Sequence, residues 1–427
     1  MSELKLKTAA FGIHREMTVP GDKSISHRAV MLGSIAEGIT TITGLLRADD
    51  CLPTIEIMRQ LGVDIIEDGD RLIIHGRGLQ GLRQSNEPLD AGNSGTTMRL
   101  LSGILVAQNF SSTLIGDESL SCRPMDRIVN PLKLMGADIE GLGERHLPEL
   151  IIKPVNKLHG IDYEMPVASA QVKSSILLAG LQTEGVTRII EKEKSRNHTE
   201  EMLEQFGAQI KINGNEITLK GKQQLTGQTI DVPGDISSAA FFIAAGLLVG
   251  NSQIVLKNIG YNYTRSGILD VIQAMNANVS TTINNNGYSA DIAVQSSNLH
   301  PTVIEGDIIP RLIDEIPIIA LLATQAAGTT IIKDAQELRV KETDRLTAVA
   351  ENLNKMGANI IETVDGLIIH GPTQLHGASV DSYDDHRIAM MLQIAALLVK
   401  NNDEVKLNNA ECVNISYPGF FEVVNQL

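Results

Sequence analysis

Leu132–Ile139 reads LKLMGADI, and the same eight-residue frame returns as MRQLGVDI (58–65), LEQFGAQI (203–210), IQAMNANV (272–279) and LNKMGANI (353–360). The central Gly or Asn falls at 62, 136, 207, 276 and 357, so the spacings are 74, 71, 69 and 81 residues. Self-similarity of this kind marks a repeated supersecondary unit. Each copy reads as the end of a helix capped by Gly or Asn in the left-handed conformation. An alternating strand follows, as in DIIEDGDRLIIHG and NIIETVDGLIIHG. Small-residue helices lie between the copies: SHRAVMLGSIAEG, SGTTMRLLSGILVA, AQVKSSILLAGLQ, SSAAFFIAAGLLVG, DEIPIIALLATQAAG and DHRIAMMLQIAALLV. They predict six copies of one strand, turn, helix unit. The sixth stops short, because SYPGFFEVVNQL supplies a last helix and no strand pair. The N-terminal LKLKTAAFGIHREMTV has the missing strands, which implies a chain that closes on itself.

VPGD stands at Val19–Asp22 and again at Val232–Asp235, before the first and fourth units. Six units with this mark at the first and fourth imply two pseudo-equivalent domains of three units each. Residues 1–19 and 233–427 form one, and residues 20–232 form the other. The crossings near 19 and 233 would act as a hinge.

At 427 residues the chain is too long for one ordinary core, and 43% hydrophobic with 20% charged residues is a globular composition. Aromatics make up 3% and Trp is absent, so stacking platforms are scarce; a net charge of −15 also repels a polyanion, and no nucleic-acid partner is expected. Cys51, Cys122 and Cys412 are scattered without ligand spacing, which argues against a metal site or disulfide framework and for a reduced, cytoplasmic protein. The N-terminus lacks a signal peptide's apolar core, and no 18-residue apolar run suggests a membrane span.

Polar motifs recur where a strand is predicted to end and a buried helix to begin: GDKSISHR (21–28), GNSGTTMR (92–99), ASAQVK (168–173), GDISSA (234–239), PRLIDE (310–315) and YDDHR (383–387). Helix starts offer free N–H groups and suit phosphate or carboxylate. Ser, Asp and Asn at these places also serve as plain N-caps, and the Gly residues of GNSGTT as a tight turn. His27 and His386 read as orienting or packing groups. Capping does not explain Lys23, Arg28 and Arg387, since the helix dipole disfavours cations in a first turn. RPMDR adds Arg123 and Arg127, SRNHTE adds Arg196, and RVKETDR packs Arg339, Lys341, Glu342, Asp344 and Arg345 into seven positions. No P-loop is present.

VPGDKSISHR, GNSGTTMR, RPMDR, RVKETDR and DDHR, in this order over the whole chain, closely resemble the 5-enolpyruvylshikimate-3-phosphate synthase family. The resemblance implies an α/β (α+β) protein with a two-domain inverse α/β barrel-like fold of six βαβαββ repeats, three per domain, and an active site in the cleft between domains. It also implies transfer of enolpyruvyl from phosphoenolpyruvate to shikimate 3-phosphate by a monomer that needs no metal or other cofactor. By matching motifs, shikimate 3-phosphate would be held by Lys23, Ser24, Arg28, Ser169, Gln171, Arg196, Asp314 and Lys341. Phosphoenolpyruvate would be held by Lys23, Gly95, Arg123, Gln171, Arg345 and Arg387. Asp314 is the implied proton acceptor, with Glu342 and Lys23 the candidates for proton delivery. SAQVK, RNHTE and NYTR look like the second of the family's two classes. Members tolerant of glyphosate commonly have Ala where this chain has Gly95, and Ile415 stands where the other class has a C-terminal Lys. The rival readings are an enolpyruvyl transferase acting on UDP-N-acetylglucosamine and a non-catalytic phosphate-binding protein; the latter has no need for Asp314 and Glu342.

Overall fold

Every copy of the repeated octapeptide closes its helix with the same two hydrogen bonds. In the first, Gly62 N–H donates to Arg59 O (2.9 Å) and Val63 N–H donates to Met58 O (3.0 Å). The corresponding pairs recur from Gly136 and Ala137, Gly207 and Ala208, Asn276 and Ala277, and Gly357 and Ala358. The capping residues have φ of +86°, +91°, +94°, +60° and +97°, a region that Gly enters freely and Asn tolerates. The leading residue of each copy, Met58, Leu132, Leu203, Ile272 or Leu353, is buried. The motif is therefore a Schellman stop whose spacing is dictated by which carbonyl must accept.

A hairpin follows each stop, and its second strand pairs antiparallel with the strand after the buried helix. A parallel strand completes each of five four-stranded sheets, and a three-stranded sheet makes six among the described residues, 3–400 and 402–427 of a computed structural model. In the first sheet the parallel strand is Thr229–Asp231, which lies against Glu37–Thr43. The same part in the fourth sheet is taken by His14–Met17, against Gln253–Gly260. Leu4–Lys5 pairs antiparallel with Lys406–Asn408 in the three-stranded sheet. Leu4–Lys5 thus supplies a strand to the shortened sixth unit, whereas His14–Met17 and Thr229–Asp231, each leading toward the next buried helix, take equivalent places in the fourth and first sheets.

The chain divides into two compact units, Met1–Pro20 with Pro233–Leu427 and Gly21–Val232. Each has its own hydrophobic core. Three buried helices fill each core: Lys23–Ile35, Gly95–Leu105 and Ala170–Gly180 in the continuous unit, and Ile236–Leu248, Ile316–Thr324 and His386–Ala396 in the other. Two local expectations fail. The first helix begins at Lys23, three residues earlier than SHRAV suggests, which puts Arg28 in the second turn instead of the first. PRLIDE does not follow a strand directly. A turn of 3₁₀ helix, Gly306–Ile308, precedes it, its first three residues lie in the short helix Ile309–Leu312, and Asp314 lies at a helix-to-helix junction. Pro310 and Pro317 sit in the first turns of their helices, where their missing N–H costs nothing, so they favour two helix starts over one continuous helix. No described helix is long and apolar enough to cross a membrane.

Candidate functional site

In the unit Gly21–Val232, Asp22 caps the first helix by accepting from Ile25 N–H at 2.9 Å. The next residue, Lys23, reaches the buried Asp50, with Nζ 2.7 Å from Oδ2. His27, also buried, lies with Nε2 3.5 Å from Asp50 Oδ1 and Nδ1 2.8 Å from Thr54 Oγ1. Thr54, Thr97 and Ser94 continue the chain of hydroxyls to the start of the GNSGTT helix. Burial pushes the His27 imidazole below its usual value, against the pull of Asp50, so it is neutral at physiological pH. For Asp50, burial acts upward, but Lys23 and His27 outweigh it and hold the carboxyl well below the usual carboxylate range. Its contribution to stability is then present above the unfolded value of about 3.9 and is lost as pH falls through the folded value. Asp50→Asn is expected to melt below the wild type at neutral pH, with the gap closing in acid. A gap that stays constant down to about pH 2 would contradict this coupling.

Arg28 is also buried, and its donors are aimed by protein groups: Nε to Thr199 Oγ1 (2.6 Å), Nη2 to Ser174 Oγ (2.8 Å) and Nη1 to Ser24 O (2.9 Å). Burial pushes its guanidinium down to about 10; Glu200 and Asp22 oppose that, and Arg196 adds to it. It is charged at neutral pH, and a bound anion would relieve part of this cost. Ser169 caps the helix Ala170–Gly180. Gln171 on that helix accepts from Arg99 Nη1 at 2.9 Å and donates to Thr96 Oγ1 at 3.1 Å. Arg123 donates to Asn93 Oδ1 (2.9 Å) and Ser119 Oγ (3.0 Å). Gly95 opens its helix, and a Cβ there would stand 2.7 Å from Arg99 Nη1 and 3.7 Å from Arg123 Nη1. Lys23, Ser24 and Arg28 therefore share the first two turns of one helix, while Gly95, Arg123 and Gln171 are linked through Arg99 and Asn93.

The other unit gathers Asp314, Lys341, Glu342, Arg345 and Arg387. Arg345 is 1% exposed and forks onto three carboxylates: Nε to Asp385 Oδ2 (2.7 Å), Nη1 to Asp314 Oδ1 (3.2 Å) and Nη2 to Glu342 Oε2 (2.6 Å). Lys341 Nζ and Arg387 Nη2 each come within 3.8 Å of Asp314. Burial alone would lower the Arg345 guanidinium, but Asp385, Glu342 and Asp314 together raise it above its ordinary value. Asp385 has a second task, because its Oδ1 caps the last buried helix at Arg387 N–H (2.8 Å). Arg339 of the same motif is spent on Asp344, Glu362 and the carbonyls of Thr363 and Val364, which is a structural use.

The second VPGD turn carries a buried cluster of its own. Asp235 Oδ1 accepts from Ser237 N–H (2.8 Å) and from Arg265 Nη2 (3.1 Å), and Arg265 Nη1 lies 3.4 Å from Glu315 Oε1. The Ser237 hydroxyl also donates to Glu315. Glu315 directly follows Asp314, so this turn pins the chain where that carboxylate emerges. Sequence reasoning missed Asp50, Arg99, Arg265 and Glu315. For Arg265 the one signal was NYTR, and for Glu315 its place inside PRLIDE. Among the described residues no His, Cys, Asp and Glu group is arranged to hold a metal ion.

Sheets wrapped around buried helices, with cations and carboxylates near the helix starts, make an α/β protein whose charged groups suit small anions. The enolpyruvyl transferase NikO of Streptomyces tendae shares the fold, with a TM-score of 0.79 over 100% of this chain and 97% of that one, at 17% identity. A solved EPSP synthase from Acinetobacter baumannii has a TM-score of 0.88 at 42% identity, covering 99% of this chain and 97% of that one. The family model described as EPSP synthase (3-phosphoshikimate 1-carboxyvinyltransferase) matches residues 10–424. The 3-phosphoshikimate 1-carboxyvinyltransferase of Streptococcus equi subsp. equi (strain 4047) is 57% identical over 425 residues, 99% of each chain. That of Enterococcus faecalis (strain ATCC 700802 / V583) is 55% identical over 426 residues, 99% of this chain and 100% of that one. The chain belongs to the EPSP synthase family.

Proposed function

We propose that the residues assembled above carry out the reaction of this family. The chain acts as a 3-phosphoshikimate 1-carboxyvinyltransferase: it transfers the enolpyruvyl group of phosphoenolpyruvate to the 5-hydroxyl of shikimate 3-phosphate and releases phosphate, a step of aromatic amino acid biosynthesis. The observation that carries the assignment of roles is the meeting of Asp314 and Glu342 on one buried guanidinium, Arg345, with Lys341 and Arg387 beside Asp314. A protein that merely bound phosphate would have no use for the two acids.

In the addition step, Asp314 accepts the proton of the 5-hydroxyl as its oxygen bonds to C2 of the enol. C3 gains a proton from Glu342 or Lys23, and the product is a tetrahedral intermediate. In the elimination step the C2–phosphate bond breaks, and a proton leaves the new methyl group to restore the double bond. Acid and base must hold opposite protonation states in one site, which requires neighbours that treat them differently. Arg123, Arg345 and Arg387 meet the carboxylate and phosphate of phosphoenolpyruvate with planar forks that stay charged, and they stabilise the departing phosphate. Gly95 and Gln171 complete that subsite. Lys23, Ser24, Arg28, Ser169, Gln171, Arg196, Asp314 and Lys341 hold shikimate 3-phosphate. None of these steps calls on a cofactor. On this reading the chain works as a monomer in the cytoplasm.

Mixing the two substrates with the protein and following vinyl protons by NMR tests the reaction itself. The signals of phosphoenolpyruvate should give way to those of an enolpyruvyl ether, and persistence of the original pair would refute it.

Gly95→Ala probes the phosphoenolpyruvate subsite. The added methyl would force aside the end of Arg99, which holds Gln171, and would touch Arg123. Glyphosate, the family's competitive inhibitor, is the longer molecule and should meet the methyl first. Its inhibition constant is expected to rise more than KM for phosphoenolpyruvate, by about tenfold for each 1.4 kcal/mol of difference. If the two constants rise together, or neither moves, Gly95 does not line that subsite.

A further inference from the structure

The ASAQVK motif ends in a lysine to which the reaction assigns no part, and the cost of burying it demands a reason. Lys173 is 1% exposed, within the helix that also carries Ser169 and Gln171. Its Nζ lies 2.6 Å from Glu200 Oε1 and 3.0 Å from Glu191 Oε2, and it donates to Ser195 O at 3.4 Å. Both glutamates are buried as well. Such a cluster is poor value as a source of stability, since apolar residues of similar volume do as well or better.

The geometry supplies another reason. Arg196 lies in the segment between the strand Val186–Ile190 and the helix His198–Gln205. On one side of it, Ser195 is tied three times: its N–H (3.0 Å) and hydroxyl (2.5 Å) donate to Glu191 Oε1, and its carbonyl accepts from Lys173. On the other side, Thr199 is bound by Arg28 Nε at 2.6 Å and by Ser174 Oγ at 2.6 Å, and Glu200 holds Lys173. One ammonium group therefore joins the helix of Ser169 and Gln171 to both flanks of Arg196, and through Thr199 to Arg28. We propose that Lys173, with Glu191 and Glu200, is a positioning residue for shikimate 3-phosphate. It holds the Arg196 segment and the Arg28 guanidinium ready for that ligand before the ligand arrives. This rests on the assignment of Arg28 and Arg196 to shikimate 3-phosphate made above.

The test compares full-length variants by steady-state kinetics, with calorimetric titration of shikimate 3-phosphate to count folded protein. Lys173→Met removes the tether but leaves two buried carboxylates. Lys173→Met/Glu200→Gln removes one charge of each sign, which leaves a single buried carboxylate and is expected to keep the protein folded where the single variant fails. KM for shikimate 3-phosphate is expected to rise about tenfold or more, the order of re-fixing one backbone residue. KM for phosphoenolpyruvate and kcat per folded molecule should stay within about twofold of wild type. Lys173→Arg, which keeps the charge, should recover part of the loss. A folded variant whose KM for shikimate 3-phosphate is unchanged, or both KM values rising together, overturns the proposal. Arg196→Gln separates the two layers. If it leaves KM for shikimate 3-phosphate unchanged, the assignment beneath falls and the proposal with it; if it moves that constant while the Lys173 variants do not, only the proposal falls. Hydrogen exchange on the wild type needs no variant: the Ser195 amide should be protected in the ligand-free protein as strongly as the strand Val186–Ile190. Exchange at the rate of an open loop would show that nothing holds the segment in advance.

Discussion

Asp314→Asn is expected to lower kcat by about 10²- to 10⁴-fold, the usual worth of a general base, while affinity for shikimate 3-phosphate changes far less. The amide keeps the shape of the carboxylate and one oxygen for Arg345 Nη1, now 3.2 Å away, but it cannot accept the hydroxyl proton. In the ligand-free protein, Arg345, Lys341 and Arg387 all favour the anion at this position. Arg345 and Arg387 are also the proposed partners of phosphoenolpyruvate. On the proposed assignment, the ligand's carboxylate and phosphate would share those cations and weaken their hold on Asp314 as the second substrate binds. Turnover near that of wild type in the variant would move the base elsewhere and remove this coupling.

Arg345→Met should be the most destabilising single change in the site, at about 3–5 kcal/mol, because it takes the paired cation from the buried Asp385 and weakens the hold on Glu342 and Asp314. Asp385 is fully buried, Glu342 and Asp314 are partly exposed, and one guanidinium contacts all three, with Lys341 and Arg387 also near Asp314. The loss read by urea denaturation at neutral pH should exceed that of Arg387→Met, whose side chain lies 3.8 Å from a single carboxylate. Equal losses would show that the three carboxylates do not depend on Arg345. Catalysis should fail as well, since Glu342 and Asp314 would lose the group that fixes their separation.

How much of this was legible in the sequence follows from the range of each interaction. The Schellman stops were legible because they are local: a Gly or Asn at φ near +90° or +60° and two hydrogen bonds span one turn. The small-residue helices were legible because burial keeps most of their length small or apolar, with charge confined to their first two turns. The sheet partners of Leu4–Lys5 and His14–Met17 were not, since two- and four-residue strands carry no periodicity and their partners lie more than 200 residues away. Asp314, Glu342, Arg345 and Arg387 came from motifs dense in charge. Asp50 had no such signal, because an aspartate in RADD reads as a surface turn until the fold brings Lys23 and His27 to it. Asp385 was quoted as a helix cap and is one, yet the same side chain also anchors Arg345, a role that depends on a helix 40 residues away in sequence. Arg28 was expected in a first turn and sits in the second, because Asp22 caps three residues ahead of the apolar run. Arg99 and Lys173 stood inside quoted motifs, and only the tertiary contacts with Gln171, Glu191 and Glu200 give them work.

The central claim is that Asp314 and Glu342 make this anion-binding protein an enzyme, and phosphate release tests it most directly. Shikimate 3-phosphate alone should bind in an equilibrium titration and release nothing, and phosphoenolpyruvate alone should likewise release nothing. With both present, inorganic phosphate should appear mole for mole with the phosphoenolpyruvate consumed. Saturable binding of shikimate 3-phosphate with no phosphate released in the presence of phosphoenolpyruvate would contradict the account, as would release that needs UDP-N-acetylglucosamine in its place.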